Sequence, residues 1–234
     1  MPDQTRFKGP AMNAVILKPR VGYCDIDDRL VFLDVDRDRY LMIGPELEMA
    51  VRDLVASRVV DGEGLEALAV TGLFISSHAA AGSSHPFSGI RPTRALCDRA
   101  EGTSDKLAFG AHYVAAFLCL AFFHLVARYC PLRMRIFLTT SLARSGEKAL
   151  LLSKIPVLLA AFHSATLLFP RKDRCLPDAL ALHAYLALCK LRTTLVFGVQ
   201  LEPFQAHCWV QHEDVVLGQD METVRAFRPV LAQP

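Results

Sequence analysis

Two stretches decide how this chain reads: Arg174-Cys-Leu-Pro-Asp-Ala-Leu-Ala-Leu-His183 and Phe204-Gln-Ala-His-Cys-Trp-Val-Gln211. In the first, a cysteine stands where a buried helix begins. Pro177 suits the first helical turn, and Asp178 lies where a capping acid would sit. A helix start supplies positive potential through its N–H groups and macrodipole, which favours a thiolate. Arg174, Arg171 and Lys172 add charge of the same sign. In the second stretch, Ala206, Cys208 and Val210 alternate with His207, Trp209 and Gln211, a strand pattern. If the first set faces the core, His207 points the other way, toward the helix layer or an open cleft. An imidazole there can act as base and acid for a thiol nucleophile. Cys175 and His207 are thus the candidate catalytic pair.

The totals narrow the alternatives. The chain has 234 residues, 52% hydrophobic and 21% charged, which suits one large or two small folded domains and excludes long disorder. A net charge of +2 argues against nucleic acid as a partner. The seven cysteines (24, 97, 119, 130, 175, 189 and 208) are scattered, with no Cys-x-x-Cys pair. Reduced thiols and a cytoplasmic location are expected, and no secretory signal is visible near Met1. The remaining histidines (78, 85, 112, 124, 163, 183 and 212) form no ligand set at metal spacing, so no metal site is expected. Neither a P-loop nor a dinucleotide fingerprint occurs.

Along the chain, residues 1–14 read as a flexible N-terminus. Arg29–Asp34 and Arg39–Ile43 read as a strand hairpin across Val35-Asp-Arg-Asp38, an interval whose aspartates suit a turn. Gly44-Pro45 opens a helix carrying Leu47, Val51, Leu54 and Val55 on one face, and a second short helix follows over Leu65–Val70. Together these predict a small winged-helix-like α+β module over 15–75. Residues 76–104, with Ala-Ala-Ala-Gly-Ser-Ser and two prolines, read as a linker to a second domain over 105–234.

Leu107–Val126 is twenty residues without Asp, Glu, Lys or Arg. Its length would cross a bilayer, but His112, Tyr113 and His124 make a buried core helix the better reading, and no stable membrane span is expected. Arg133–Thr139 is ambiguous. Lys148–Leu168 reads as a helix with a kink at Pro156. Arg192–Gly198, Ala206–Gln211 and Val215–Gly218 read as a meander of antiparallel strands fed by the Cys175 helix.

From about Leu167 to Leu231 the chain resembles the transglutaminase-like domain of lasso-peptide maturation B proteins. The carrying residues are Phe169-Pro170, Cys175-Leu-Pro-Asp-Ala-Leu-Ala-Leu182, Phe197-Gly-Val199, Pro203-Phe-Gln-Ala-His-Cys-Trp-Val-Gln211 and Val224-Arg-Ala-Phe-Arg-Pro-Val230. Leu30-Val-Phe-Leu-Asp-Val-Asp-Arg-Asp-Arg-Tyr-Leu41 resembles the small PqqD-like leader-recognition domain of the same pathway. The resemblance implies an α+β chain: a PqqD-like module followed by a transglutaminase-like, papain-like cysteine protease domain. It implies a leader peptidase with a Cys-His-Asp triad of Cys175, His207 and Asp220. Gln219 occupies the acid's ungapped position and Asp220 is one residue late, while Asp214 is a distant alternative read as a turn residue. It further implies that the precursor's leader adds as a strand to the hairpin, with Val31, Leu33 and Tyr40 as leader-binding residues. The implied partners are the lasso precursor peptide and an asparagine-synthetase-like macrolactam synthetase. No bound cofactor is expected, although the resemblance implies dependence on ATP. Acyl transfer by the same thioester chemistry and a non-catalytic precursor chaperone are the alternatives.

Overall fold

A computed structural model describes residues 14–56, 60–77, 91–96, 106–143, 154–169 and 174–234. In chain order the N-terminal elements are β1 (Ala14–Leu17), β2 (Val21–Ile26), β3 (Arg29–Asp34), β4 (Arg39–Met42), α1 (Pro45–Val55), α2 (Gly62–Thr71) and β5 (Phe74–Ser77). Next come β6 (Arg94–Leu96), α3 (Lys106–Tyr129), α4 (Leu132–Ala143), α5 (Ile155–Thr166) and α6 (Cys175–Leu188). The chain closes with β7 (Thr194–Gln200), β8 (Gln205–His212), β9 (Val215–Leu217), α7 (Met221–Arg225) and β10 (Arg228–Gln233).

These elements form two compact units that do not follow the sequence boundary. One joins the described residues up to Val21 with those from Ile43 to Ser77; the other joins Gly22–Met42 with the described residues from Arg91 onward. In the first unit β1 pairs antiparallel with β5, Leu17 opposite Phe74. Pro45 opens α1 with Glu46 and Glu48 in its first turn, as their charge and ring geometry favour. Asp61 caps α2 by accepting the Gly64 N–H at 2.7 Å, and Gly72 ends it at φ +70°, where a side chain would be strained.

The hairpin expected inside a 15–75 module lies instead in the second unit. Its turn follows the sequence logic: Asp34 Oδ1 accepts the N–H groups of Asp36 and Arg37 at 3.0 and 3.1 Å. Its apolar face sets the destination. Cys24, Ile26, Val31, Leu33 and Val35 join one core with residues of α3, α5, α6 and the C-terminal strands. In the three-stranded sheet β2-β3-β4, β3 is central, and Val31 and Leu33 on its core-facing side are fully buried. Their side chains are therefore closed to a leader peptide; of the three expected leader-binding residues only Tyr40, on the outer strand β4, is partly open.

The second unit is built on a five-stranded sheet of order β10-β7-β8-β9-β6. β7, β8 and β9 are the expected antiparallel meander. Two strands lie outside the sequence reading. β10 adds antiparallel to β7, and β6, from the expected linker, adds parallel to β9 with Arg94 opposite Val215. A three-residue strand is too short to show a period, which is why β6 read as loop. Residues 78–90 and 97–104 of that expected linker lie outside the described residues.

One sheet face, carrying Leu195, Phe197, Val199, Cys208, Val210 and Leu217, packs against the helices. The other carries Val196, Trp209 and Val216 beneath Val224 of α7. The ambiguous Arg133–Thr139 lies in helix α4. Pro156 makes no kink; it stands in the first turn of α5, where its missing N–H is not needed. The part of the expected helix before Lys154 lies outside the described residues.

The Leu107–Val126 segment is half of what was expected. One side of α3 is core, with Ala116, Leu120 and Phe123 buried, but Leu118 and Leu125 on the other side are 60% exposed. By length and composition Phe109–Tyr129 is the one described helix long and apolar enough to cross a bilayer.

Gly198 makes the sheet's inner fit testable. It stands opposite His207, and a Cβ there would lie 2.7 Å from the Trp209 ring. Trp209 is wholly buried. Gly198→Ala should therefore destabilise the protein by about 1–3 kcal/mol, read as a lowered urea midpoint at unchanged slope.

Candidate active site

Cys175 is the first residue of α6, and its Sγ lies 3.0 Å from His207 Nδ1 on β8. β9 pairs with β8 only over Val210–His212, so it stops short of this point. Beyond its end, the Cys208 N–H donates to Cys175 Sγ at 3.2 Å. Gly218, at φ +70°, turns the chain after β9 and brings Gln219 alongside. The Gln219 Nε2 donates to the Cys208 carbonyl at 3.3 Å, which leaves its Oε1 facing His207 Nε2 at 2.7 Å. A carbonyl only accepts, so this bond fixes which way the amide points. An amide oxygen also only accepts, so His207 carries a proton on Nε2 and turns Nδ1 toward the sulfur. Phe227 stacks on the imidazole, ring centres 4.9 Å apart, and holds its plane.

The electrostatics are those of a thiolate–imidazolium pair. The Cys175 thiol is lowered to about 5. A hydrogen bond from Cys208 is the largest cause; burial opposes it, and His207 helps by hydrogen bond and by charge. Burial is the strongest single influence on His207 and disfavours its charge. The adjacent Cys175 and the Gln219 bond outweigh burial, so the net direction is up.

Arg174 has a different role from the one read in the sequence. Arg174 Nε pairs with Asp178 Oδ2 at 3.0 Å, and the lowered thiol traces to Cys208 and His207. Asp178 also meets His124 Nε2 of α3 at 2.9 Å, which ties the start of α6 to the neighbouring helix. Burial still pushes the Asp178 carboxyl up, against the His124 hydrogen bond and the Arg174 charge. Arg171 and Lys172 lie outside the described residues.

Of the three expected catalytic residues, Cys175 and His207 are brought together, and the residue on Nε2 is Gln219. Asp220 is instead the N-cap residue of α7, at φ −75° and ψ 143°. The backbone supplies the reason. Residues 219 and 220 follow a left-handed glycine directly, so only the first of them lies beside the open edge of β8. Asp214 sits at the β8–β9 turn, where its carboxylate accepts from Thr93 and, at 3.1 Å, from Arg94. Two participants escaped the sequence reading. Strand alternation assigned Cys208 to the core, and nothing local linked His124 to a carboxylate 54 residues away.

The pair opens on a cleft of about 520 Å³ lined also by Phe162, His163 and Thr166 of α5 and by Gln219 and Thr223. A second cavity, about 590 Å³, lies over Trp209 and Phe227; its lining has no cysteine, serine or histidine. The first is therefore the candidate site for thiol chemistry. Among the described residues no group of three His, Cys, Asp or Glu side chains could hold a metal ion.

This arrangement, a helix-borne thiolate against a strand-borne histidine, can form and break thioesters. Residues 117–232 match the family model of the transglutaminase-like superfamily. The chain carries a transglutaminase-like domain. That match spans α6, the sheet strands β7 to β9 and both members of the Cys–His pair. No curated protein and no solved structure matches the chain. The transglutaminase-like domain is compatible with a cysteine peptidase or an acyltransferase.

The bond between Gln219 and His207 gives a direct expectation. Gln219→Ala frees the imidazole to rotate and should lower kcat/KM about 100-fold in a peptide-release assay. Asp220→Ala should cost less. The opposite order would return the orienting role to Asp220.

Proposed function

We propose that this chain is a cysteine leader peptidase that cleaves a ribosomally made lasso precursor at the leader–core junction. The observation that carries the reading is Cys175 Sγ at 3.0 Å from an imidazole whose other nitrogen is held by Gln219. The resemblance through Pro203–Gln211 and Leu30–Leu41 supplies the substrate class.

The steps follow from the geometry. Cys175 thiolate attacks the scissile carbonyl. The oxyanion forms at the start of α6, where N–H groups lack helix partners and the dipole is positive. His207 gives its Nδ1 proton to the departing amine, releasing the core with a free N-terminus. A thioester to the leader remains. His207, now neutral, takes a proton from water; the hydroxide adds, and Cys175 leaves as thiolate. Every step needs only water, so none is assigned to a nucleotide.

The leader is proposed to add along β4, the outer strand of the hairpin sheet, through main-chain hydrogen bonds. Tyr40 on β4 supports this route. Its ring packs edge-on against Phe204, at 5.8 Å. Its hydroxyl is pushed up chiefly by burial. The freed core amine is the group a macrolactam synthetase would then use.

The test is mass spectrometry of the precursor encoded alongside this chain, incubated with wild type and with Cys175→Ala. Leader with a free carboxyl terminus, released by wild type only, supports the peptidase. Leader joined to an added amine would establish acyl transfer instead. No release by wild type, with the synthetase and ATP supplied, would favour a precursor chaperone.

A further inference from the structure

Cys208 is a second thiol at the reacting sulfur. Its Sγ lies 3.3 Å from Cys175 Sγ, although its side chain is buried in the helix-facing core. The main-chain N–H of residue 208 would reach Cys175 whatever side chain stood there. The thiol is what this particular residue adds. Two thiolates at that separation in a poorly solvated site would repel strongly, so the pair holds one proton between its two sulfurs.

The surroundings decide which sulfur keeps it. The titratable groups facing the pair are His207 on β8, Asp178 on α6 with its partners Arg174 and His124, and Tyr40 on β4; His163 and Asp220 line the cleft. His207 and the Cys208 N–H both bond Cys175. Cys208 has Asp178 as a further unfavourable charge and is wholly enclosed. Anionic charge therefore settles on Cys175 and the proton on Cys208.

We propose that Cys208 is a positioning residue whose S–H donates to the Cys175 sulfur and holds it as a thiolate ready to attack. This rests on Cys175 being the nucleophile. The direction of both thiols agrees, Cys175 lowered and Cys208 raised, each chiefly through the hydrogen bond to the other.

The experiment measures iodoacetamide alkylation of Cys175 in the full chain as a function of pH, followed by peptide mass spectrometry, so no peptidase activity is needed. Wild type should show a midpoint near 5. Cys208→Ala and the better-packed Cys208→Val should both raise the midpoint by about one unit, and so slow alkylation about tenfold below it. Cys208→Ser, which keeps a donor, should lie between them and wild type. Alanine and valine curves that overlay wild type would overturn the proposal. So would a serine variant displaced as far as the alanine one, because the effect would then be packing. A wild-type midpoint in the ordinary thiol range would overturn the nucleophile reading itself, and this inference with it.

Discussion

Cys175→Ala should abolish leader release, with kcat falling by about 10⁴-fold or more. The size follows from what the sulfur does. In the proposed mechanism it forms the bond that lets one difficult acyl transfer proceed as two easier ones, and the rest of the site has no substitute for it. Cys208 is too enclosed to replace it, being buried and held protonated beside Cys175. Alanine at the first position of α6 is a good helix former, so folding should be unaffected. Leader binding, measured by fluorescence anisotropy, should stay near wild type. Loss of activity with retained binding separates the catalytic role from a structural one; equal cleavage by both proteins would make Cys175 structural.

The second large effect is at His207. His207→Ala should lower kcat/KM by about 10³- to 10⁴-fold, because the leaving amine loses its proton donor and the hydrolytic water its base. It should also change the titration of Cys175. In wild type the thiol is lowered to about 5, so thiolate is present above that pH and lost as pH falls through it. His207 is shifted up, so its imidazolium is lost only as pH rises through that raised value. Activity should therefore be bell-shaped, its limbs belonging to the coupled pair. Without the imidazole the acid limb of alkylation should move up toward the ordinary thiol range. A midpoint still near 5 in His207→Ala would show that Cys208 and the helix start suffice alone.

The two effects differ in what they test. The first asks whether this sulfur reacts; the second asks whether the neighbouring ring makes it reactive. Cys208 contributes a smaller increment to the same pair. The three sets of variants together assign the charge on Cys175 to its donors. They are close enough to couple, so their effects should not simply add.

Much of this is legible in the sequence. Local chemistry alone carried the helix at Cys175, with Pro177 in its first turn, and the strand at His207, with its two-residue alternation. The hairpin across Val35–Asp38 and the helix opened by Pro45 were equally legible, because turn residues and capping act within a few positions. The pairing of Cys175 with His207 across 32 residues was read from the helix start and the strand together with the resemblance, and the two side chains lie 3.0 Å apart. What pattern could not carry was anything decided by where an edge ends. β9 stops before Cys208, a left-handed glycine follows, and Gln219 rather than its neighbour arrives beside the imidazole.

The same division holds for the larger architecture. By itself the sequence determined the hairpin, the β7–β9 meander, the helices opened by Pro45 and at Cys175, the absence of nucleotide motifs and the two residues of the candidate pair. Only the tertiary structure decided that Gly22–Met42 packs with the C-terminal unit, burying Val31 and Leu33 where a leader was expected to touch them. It also decided that Arg174 serves Asp178 and that a second sulfur stands beside the first. The physical reason is that periodicity and capping report a segment's own faces. Burial, charge pairing and the protonation of Cys175 depend on which other faces the fold sets against them.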